Sequence, residues 1–248
     1  DQDNAIVFEG DADGEGAEWL AAMAARMNAI LDEVGVPFCK GGVMAKNQAW
    51  CKSGTDWRKH VAGWLSRSDP QDILNADIFF DALPVHGDHQ LAEALRRDAI
   101  TAARQSLGFL KLITLASANP EAPLGWFGRF KLDETGRMDL KRGGIMPIFS
   151  SARVLALKHG LEERSTAARL QALRGKADVP TRQIERLLEA HKLILGAILN
   201  QQLSDIERGI PPSSLVDPKE MAPSERERLK WALEHVSAVR DLLGDPVS

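Results

Sequence analysis

The hydrophobic pattern changes character along the chain. Ala5-Ile6-Val7-Phe8 is a short unbroken apolar run of β-formers, which reads as a buried strand. Over 17–34 the pattern becomes helical, with Trp19, Leu20, Met23, Met27, Ile30, Leu31 and Val34 recurring at 3.6-type spacing and Gly35 in the place of a C-terminal cap. Asp69-Pro70 has the form of an N-cap followed by proline at the first helical position, and opens a short helix to Ala76. Asp77 to Val85 then reads as a strand, ended by Pro84 and a Gly87-Asp88 turn. From His89 onward the pattern is helical over 89–118, 146–159, 164–175, 181–208 and 224–243. The exception is Phe127–Lys141, where Asp133-Glu134-Thr135-Gly136 would turn a hairpin between Phe127–Leu132 and Arg137–Lys141. The expected fold class is α+β: a mixed sheet with helices, followed by an all-α helical bundle.

Charge sharpens that division. Residues 1–104 carry a net charge of −7 and residues 105–248 a net of +3, within a whole of −4. An acidic part beside a mildly basic one suggests two units, 1–104 and 105–248. At 248 residues, 44% of them hydrophobic, either unit is large enough to bury a core. No apolar run approaches the ~20 residues of a membrane span, and no signal-type leader opens the chain. The two cysteines, Cys39 and Cys51, are too few for a disulfide scaffold, fit a reducing, cytoplasmic compartment and read as packing residues. Mild acidity argues against a nucleic-acid binder. The chain opens with Asp1-Gln2-Asp3-Asn4 running straight into the first strand, as if the approach to that strand had been removed, and is expected to be a fragment.

The sharpest candidate chemistry is Asp1-x-Asp3. Residues two apart on a strand share a face, so both carboxylates would converge on one point. Paired hard oxygens suit Mg²⁺, which completes its shell with water and substrate phosphates. The competing reading is a plain surface turn. Asp81, set in Ile-Phe-Phe-Asp-Ala-Leu, is costly to bury unless paired or metal-bound. Asp77 has the same parity, so parity does not choose between them. Three carboxylates on two neighbouring strands would hold a two-metal site for phosphoryl chemistry, with metals ~3.5–4 Å apart.

Other segments carry weaker signals. Gly41-Gly42 before a possible helix could offer backbone amides to phosphate, with Lys46 and Asn47 reaching a triphosphate or base. A glycine turn before an amphipathic helix explains the same residues. Asp11-Ala-Asp13-Gly14 resembles the start of a calcium loop, but position twelve is Ala22 and the preceding segment is a strand, so an acidic turn is the better reading. Trp50, Trp57 and Trp64, seven residues apart, read as core. His86-Gly87-Asp88-His89 reads as a turn. Lys141 and Arg153 could aim positive charge across the domain boundary toward a nucleotide, with surface salt bridges as the simpler account.

Taken together, three ordered motifs resemble the DUF294 nucleotidyltransferases of the DNA polymerase β-like superfamily. These are Asp1-Gln-Asp3-Asn4-Ala-Ile-Val, Cys39-Lys-Gly-Gly-Val-Met-Ala-Lys-Asn47 with Trp50-Cys51, and Ile78-Phe-Phe-Asp81 with Pro84-Val-x-Gly87-Asp88. The later run resembles that family's helical substrate-binding partner domain through Asp139-Leu-Lys141, Ile145-x-Pro147, Ala152-Arg153-Val-Leu-Ala-Leu157 and Thr166-x-x-Arg169-Leu170. The resemblance implies a relationship to the uridylyltransferase that modifies the PII nitrogen-signalling protein. It also implies a Mg²⁺ site, two-metal in the intact protein, with Asp1 and Asp3 as paired ligands and Asp81 as the third carboxylate. Gly41–Asn47 would line the nucleotide site. A nucleoside monophosphate would pass from an NTP to a protein or small-molecule hydroxyl. Upstream CBS and cyclic-nucleotide-binding domains of the same polypeptide would make this the output end of a signalling protein. Two departures stand out. The family's Gly-Ser phosphate loop would precede Asp1, so the fragment alone is expected to be inactive; and Leu83 stands where an arginine is expected. A catalytically degenerate nucleotide-sensing or protein-interaction module is the alternative.

Overall fold

The computed structural model describes residues 1–11, 14–67, 69–117, 122–125, 128–237 and 239–244. The chain divides into two compact units, Asp1–Ala102 and Ala103–Ser248, the first mixing strands and helices and the second almost wholly helical. No helix among the described residues is long and apolar enough to cross a membrane.

In the first unit, β1 (Ile6–Phe8) pairs in parallel with β2 (Cys51–Ser53), Ile6 opposite Cys51 and Phe8 opposite Ser53. Parallel neighbours require a crossover, and α1 (Glu15–Glu33) supplies it. Its C-terminal end turns through Gly35 at φ +95°, the glycine stop expected from the sequence. The helix faces inward differently from the sequence expectation. Ala24 and Asn28 are its buried residues, Leu20, Met23, Met27 and Leu31 are half-buried, and Trp19, Ile30 and Val34 are exposed. The face is rotated toward Asn28 because that amide is tied to the segment before β1.

A 3₁₀ turn (Gln48–Trp50) leads through β2 into α2 (Gly54–Arg67). Trp50, Trp57 and Trp64 are buried and pack with Phe79 at ring-centroid separations of 5.3–6.2 Å, which makes the seven-residue tryptophan spacing core. Trp57 also donates its Nε1–H to the Ile6 carbonyl at 2.8 Å, fixing α2 to β1.

The expected strand over 77–85 does not form. Asp69 caps α3 (Pro70–Phe80) by accepting from the Asp72 N–H at 2.9 Å, and the helix runs on past Ala76 to Asp81. Nothing between Pro70 and Pro84 stops a helix, and the buried positions Asp72, Ala76, Phe79 and Phe80 have helical spacing. The β-rich composition of Ile-Phe-Phe is overridden by the fit of Phe79 against the tryptophans of α2. Gly87 turns the chain, and the Asp88 carboxylate accepts from the Gln90 N–H at the start of α4 (His89–Gln105).

The second unit is built around α6 (Met146–His159), buried from Ser151 through Leu157 without a break. Around it lie α5 (Leu107–Ser117), α7 (Thr166–Ala172) and α10 (Val239–Leu243). The 27-residue α8 (Thr181–Glu207) packs along α9 (Pro223–Val236). The expected hairpin is corrected as well. The Asp133–Gly136 turn forms, with the Asp133 carboxylate accepting from the N–H groups of Thr135 and Arg137. The strand after it, β3 (Met138–Asp139), pairs antiparallel with β4 (Leu215–Val216) instead of with 127–132. A π-helical turn (Lys141–Ile145) then enters α6. In the preceding arm Phe130 bridges Leu124, while Phe127 and Asp13 lie outside the described residues.

Candidate functional site

The Asp1-x-Asp3 segment is held by its intervening residues. The Gln2 N–H donates to the Pro37 carbonyl and the Asn4 N–H to the Val43 carbonyl, both at 3.0 Å, so the segment lies along 37–43 before β1 begins. Burial alternates with period two: Asp1 and Asp3 are exposed, Gln2 is buried and Asn4 half-buried. The two carboxylates therefore share the outer side of this segment, as their spacing requires.

The inward side is a closed network of amides. Asn28 donates to Gln2 Oε1 at 2.7 Å and to Asn4 Oδ1 at 3.0 Å, and Gln2 Nε2 donates to the carbonyls of Asn28 and Val36 at 2.9 Å each. The Ala45 N–H donates to Asn4 Oδ1 at 2.9 Å and the Lys46 N–H to Asn28 Oδ1 at 3.0 Å. Every member is neutral, and each such bond is worth about 1 kcal/mol while an orphaned partner costs more. The network locks Asp1–Asn4, α1 and the 42–47 loop together, and sequence reasoning passed over Gln2 and Asn28. The available signal was a lone asparagine at an inward position of an otherwise apolar helical face, which is costly unless satisfied.

The loop itself differs from expectation. No helix with open N–H groups follows Gly41-Gly42; the chain makes only tight turns before the 3₁₀ turn. The N–H groups of Gly42, Met44 and Asn47 donate to backbone carbonyls of the loop, and those of Ala45 and Lys46 to the amide network. The backbone at these five positions is thus committed to its own structure, and a phosphate cradle of the helix-terminus kind is not formed there. Gly42 sits at φ +72°, and an added Cβ would lie 3.3 Å from Asn47 Nδ2, which donates to the Gly42 carbonyl at 2.5 Å. The side chains remain: Lys46 is exposed, its ammonium 3.5 Å above the centroid of the Phe38 ring.

Asp81 is not on a strand beside Asp1 and Asp3. It caps the C-terminal end of α3, half-buried, one helical turn after Asp77. Among the described residues, no three or more His, Cys, Asp or Glu side chains gather as a metal cluster, so the structure does not join Asp81 to Asp1 and Asp3 in one site. In the second unit Lys141 is exposed at the start of the π-helical turn. Arg153 is not a projecting surface cation. It is 3% exposed within α6, its guanidinium 4.1 Å from the Phe149 ring centroid. Cys39 and Cys51 are free and half-buried, and burial raises the Cys51 thiol above its ordinary value.

An outer pair of exposed carboxylates on a segment held from its inner side is a donor set that suits a hard cation or a cationic group. Comparison of the sequence with family models matches residues 108–246 to "Putative nucleotidyltransferase substrate binding domain" and residues 1–71 to "Putative nucleotidyltransferase DUF294". The chain belongs to the DUF294 family. Neither curated proteins nor solved structures gave a match. The two DUF294 matches cover the motifs at Asp1–Val7, Cys39–Cys51, Asp139–Lys141 and Ala152–Leu170, whereas Ile78–Asp88 falls between them.

Proposed function

We propose that this DUF294 chain is the nucleotidyltransferase part of a cytoplasmic signalling polypeptide, moving a nucleoside monophosphate from an NTP to a protein or small-molecule hydroxyl, with CBS or cyclic-nucleotide-binding domains upstream. The observation that carries the reading is the exposed Asp1/Asp3 pair on a segment whose inner side is locked by Gln2, Asn4 and Asn28. Two carboxylates with open coordination fit Mg²⁺, which binds through one or two acids and keeps positions for phosphate oxygens. Asp1 and Asp3 would hold it, and the ion would supply positive charge against the triphosphate. The chain's own part is to keep both acids at a fixed spacing and to bring Lys46 to the phosphates from the adjoining loop. Asn47, tied to Gly42, shapes that loop.

A second reading, a degenerate nucleotide-sensing or interaction module, is favoured by the committed loop amides and by the position of Asp81 at a helix end. Calorimetric titration of ATP and UTP with Mg²⁺ separates the two. It is run on the polypeptide that includes the family's upstream Gly-Ser loop, beside Asp3→Asn and Asp81→Asn. Mg²⁺-dependent binding lost in Asp3→Asn supports the transferase site. Loss in Asp81→Asn as well brings the third carboxylate into it. Absence of binding by the parent sinks the transferase reading and leaves the interaction module.

A further inference from the structure

The longest helix of the second unit is apolar on two sides. Its inner side, Ile184, Leu187, Ala190, Ile194, Ala197, Gln201 and Asp205, is buried. On the other side Leu195, Leu199, Leu203 and Ile206 are 44–59% exposed. At 100° per residue this stripe lies roughly 150° from the buried one, so no rotation of α8 on its own unit hides both. Successive steps of four, four and three residues keep the leucines on one continuous line, the spacing of a helix-packing seam. Scattered apolar residues on a surface are ordinary, whereas a contiguous row along three turns marks an interaction site.

We propose that this stripe is the interface with a second copy of the chain, α8 packing antiparallel on α8. The charges at its two ends argue for this occupant. Lys192 and Glu207, both exposed, flank the stripe on the same side. Antiparallel helices bring same-side flanks together, so Lys192 of each copy meets Glu207 of the other. Parallel helices would leave Lys192 and Glu207 about 22 Å apart along the axis and lose that pairing. In the same register Gly196 faces Leu203 of the second copy, and a Cβ at Gly196 would meet nothing within 4 Å. That leaves open space where the leucine needs room. Leu199 falls beside the two-fold axis, next to its own counterpart. One patch is thus self-complementary in shape and charge, which is what a two-fold interface demands. The inference is independent of the nucleotidyltransferase reading, since it uses no residue of that site.

The test is sedimentation equilibrium of the full 248-residue chain over a wide concentration range, with circular dichroism to confirm the fold of each variant. The expected result is a dimer that Leu199→Asp weakens by at least about a hundredfold, because the leucine is buried twice in the pair. Lys192→Glu weakens it by about tenfold, since two symmetric attractions become repulsions, and Lys192→Glu combined with Glu207→Lys restores it. A monomeric parent chain overturns the proposal and leaves the stripe to another protein or segment. A dimer indifferent to Leu199→Asp places the interface elsewhere. A dimer that responds to Leu199→Asp but is not rescued by the double charge reversal overturns the antiparallel register.

Discussion

Each unit holds a short strand pair in place with a buried polar network, and the two networks use different chemistry. In the first unit the Gln2–Asn4–Asn28 amides tie the approach to β1 to α1 and to the 42–47 loop, and none of the three can ionise. In the second, Arg137 on the approach to β3 clasps Asp205 with two bonds at 3.0 and 3.1 Å, and Gln201 donates to the same carboxylate at 2.9 Å. Arg137 also donates to the Leu215 carbonyl, and Gln201 of α8 accepts from the Asp217 N–H, so β4 is held from Arg137 at its start and from α8 just past its end. Asp205 is fully buried. The charged network compensates itself within its unit, the Arg137 guanidinium lying against the Asp205 carboxylate. Beside the neutral one, Asp1 and Asp3 are exposed and form no salt bridge among the described residues.

The largest effect is expected from breaking the ionic network on one side only. Arg137→Met leaves the Asp205 carboxylate buried without its cation, the costly outcome for an internal pair. The melting temperature of the second unit should fall by more than about 8 °C. Hydrogen exchange should rise around β3 and β4 while Asp1–Asn4 stays protected. Arg137→Met combined with Asp205→Leu should recover most of the loss, because the pair is then removed together. If the single and double variants melt alike, the network does not carry the strand pair.

Next in size is Asn28→Ala. It removes two donated bonds and one accepted bond, and leaves Gln2 Oε1 and the Lys46 N–H without their partners. A loss of about 3 kcal/mol is expected in denaturant unfolding of the first unit. Exchange at the N–H groups of Ala45 and Lys46 should rise together. A change confined to α1 would show that the loop holds its shape without the network.

The third contrast is acid sensitivity. The Arg137 guanidinium, then Gln201, hold the Asp205 carboxyl below its ordinary value. A carboxylate depressed in the folded state contributes stability above its unfolded pKa of about 4, and that contribution is lost as pH falls through the folded value. Protection of β3 and β4 should therefore decline below about pH 4. The first unit meets a smaller change there. Beside β2, Asp56 is held low by the Ser53 hydroxyl and Lys59 at the start of α2, and the amide network does not titrate. Equal acid lability of the two strand pairs, read by exchange on peptides from each, would break the distinction.

How much of this was legible in the sequence depends on range. The α6 bounds and nearly those of α8 follow from helical periodicity and flanking breaks, because both helices are decided by their own side chains. Asp77–Asp81 misled because Ile-Phe-Phe favours strands in isolation, while the helix was decided at its start by the Asp69-Pro70 cap and at its end by tryptophans of another helix. β2, only Cys-Lys-Ser, carries no strand pattern at all and exists through its parallel partner β1. The same applies to the site. The shared side of Asp1 and Asp3 was readable from a two-residue spacing, but the amides that hold them span 24 to 34 residues of sequence and leave no periodic trace.

The smallest expected effect on stability is the most telling for function. Asp3 is exposed and engages neither network, so Asp3→Asn should move unfolding by no more than about 0.5 kcal/mol. Exchange at Gln2 and Asn4 should be unchanged. If the outer pair serves a cation, the same substitution should abolish Mg²⁺-dependent binding of ATP or UTP in the titration proposed above, since one remaining carboxylate holds a hydrated ion weakly. Loss of binding at constant stability would separate the role of the acids from that of the amides behind them. Loss of stability instead would make Asp3 another structural member of the first unit, and the contrast between a self-satisfied network and an open pair would no longer hold.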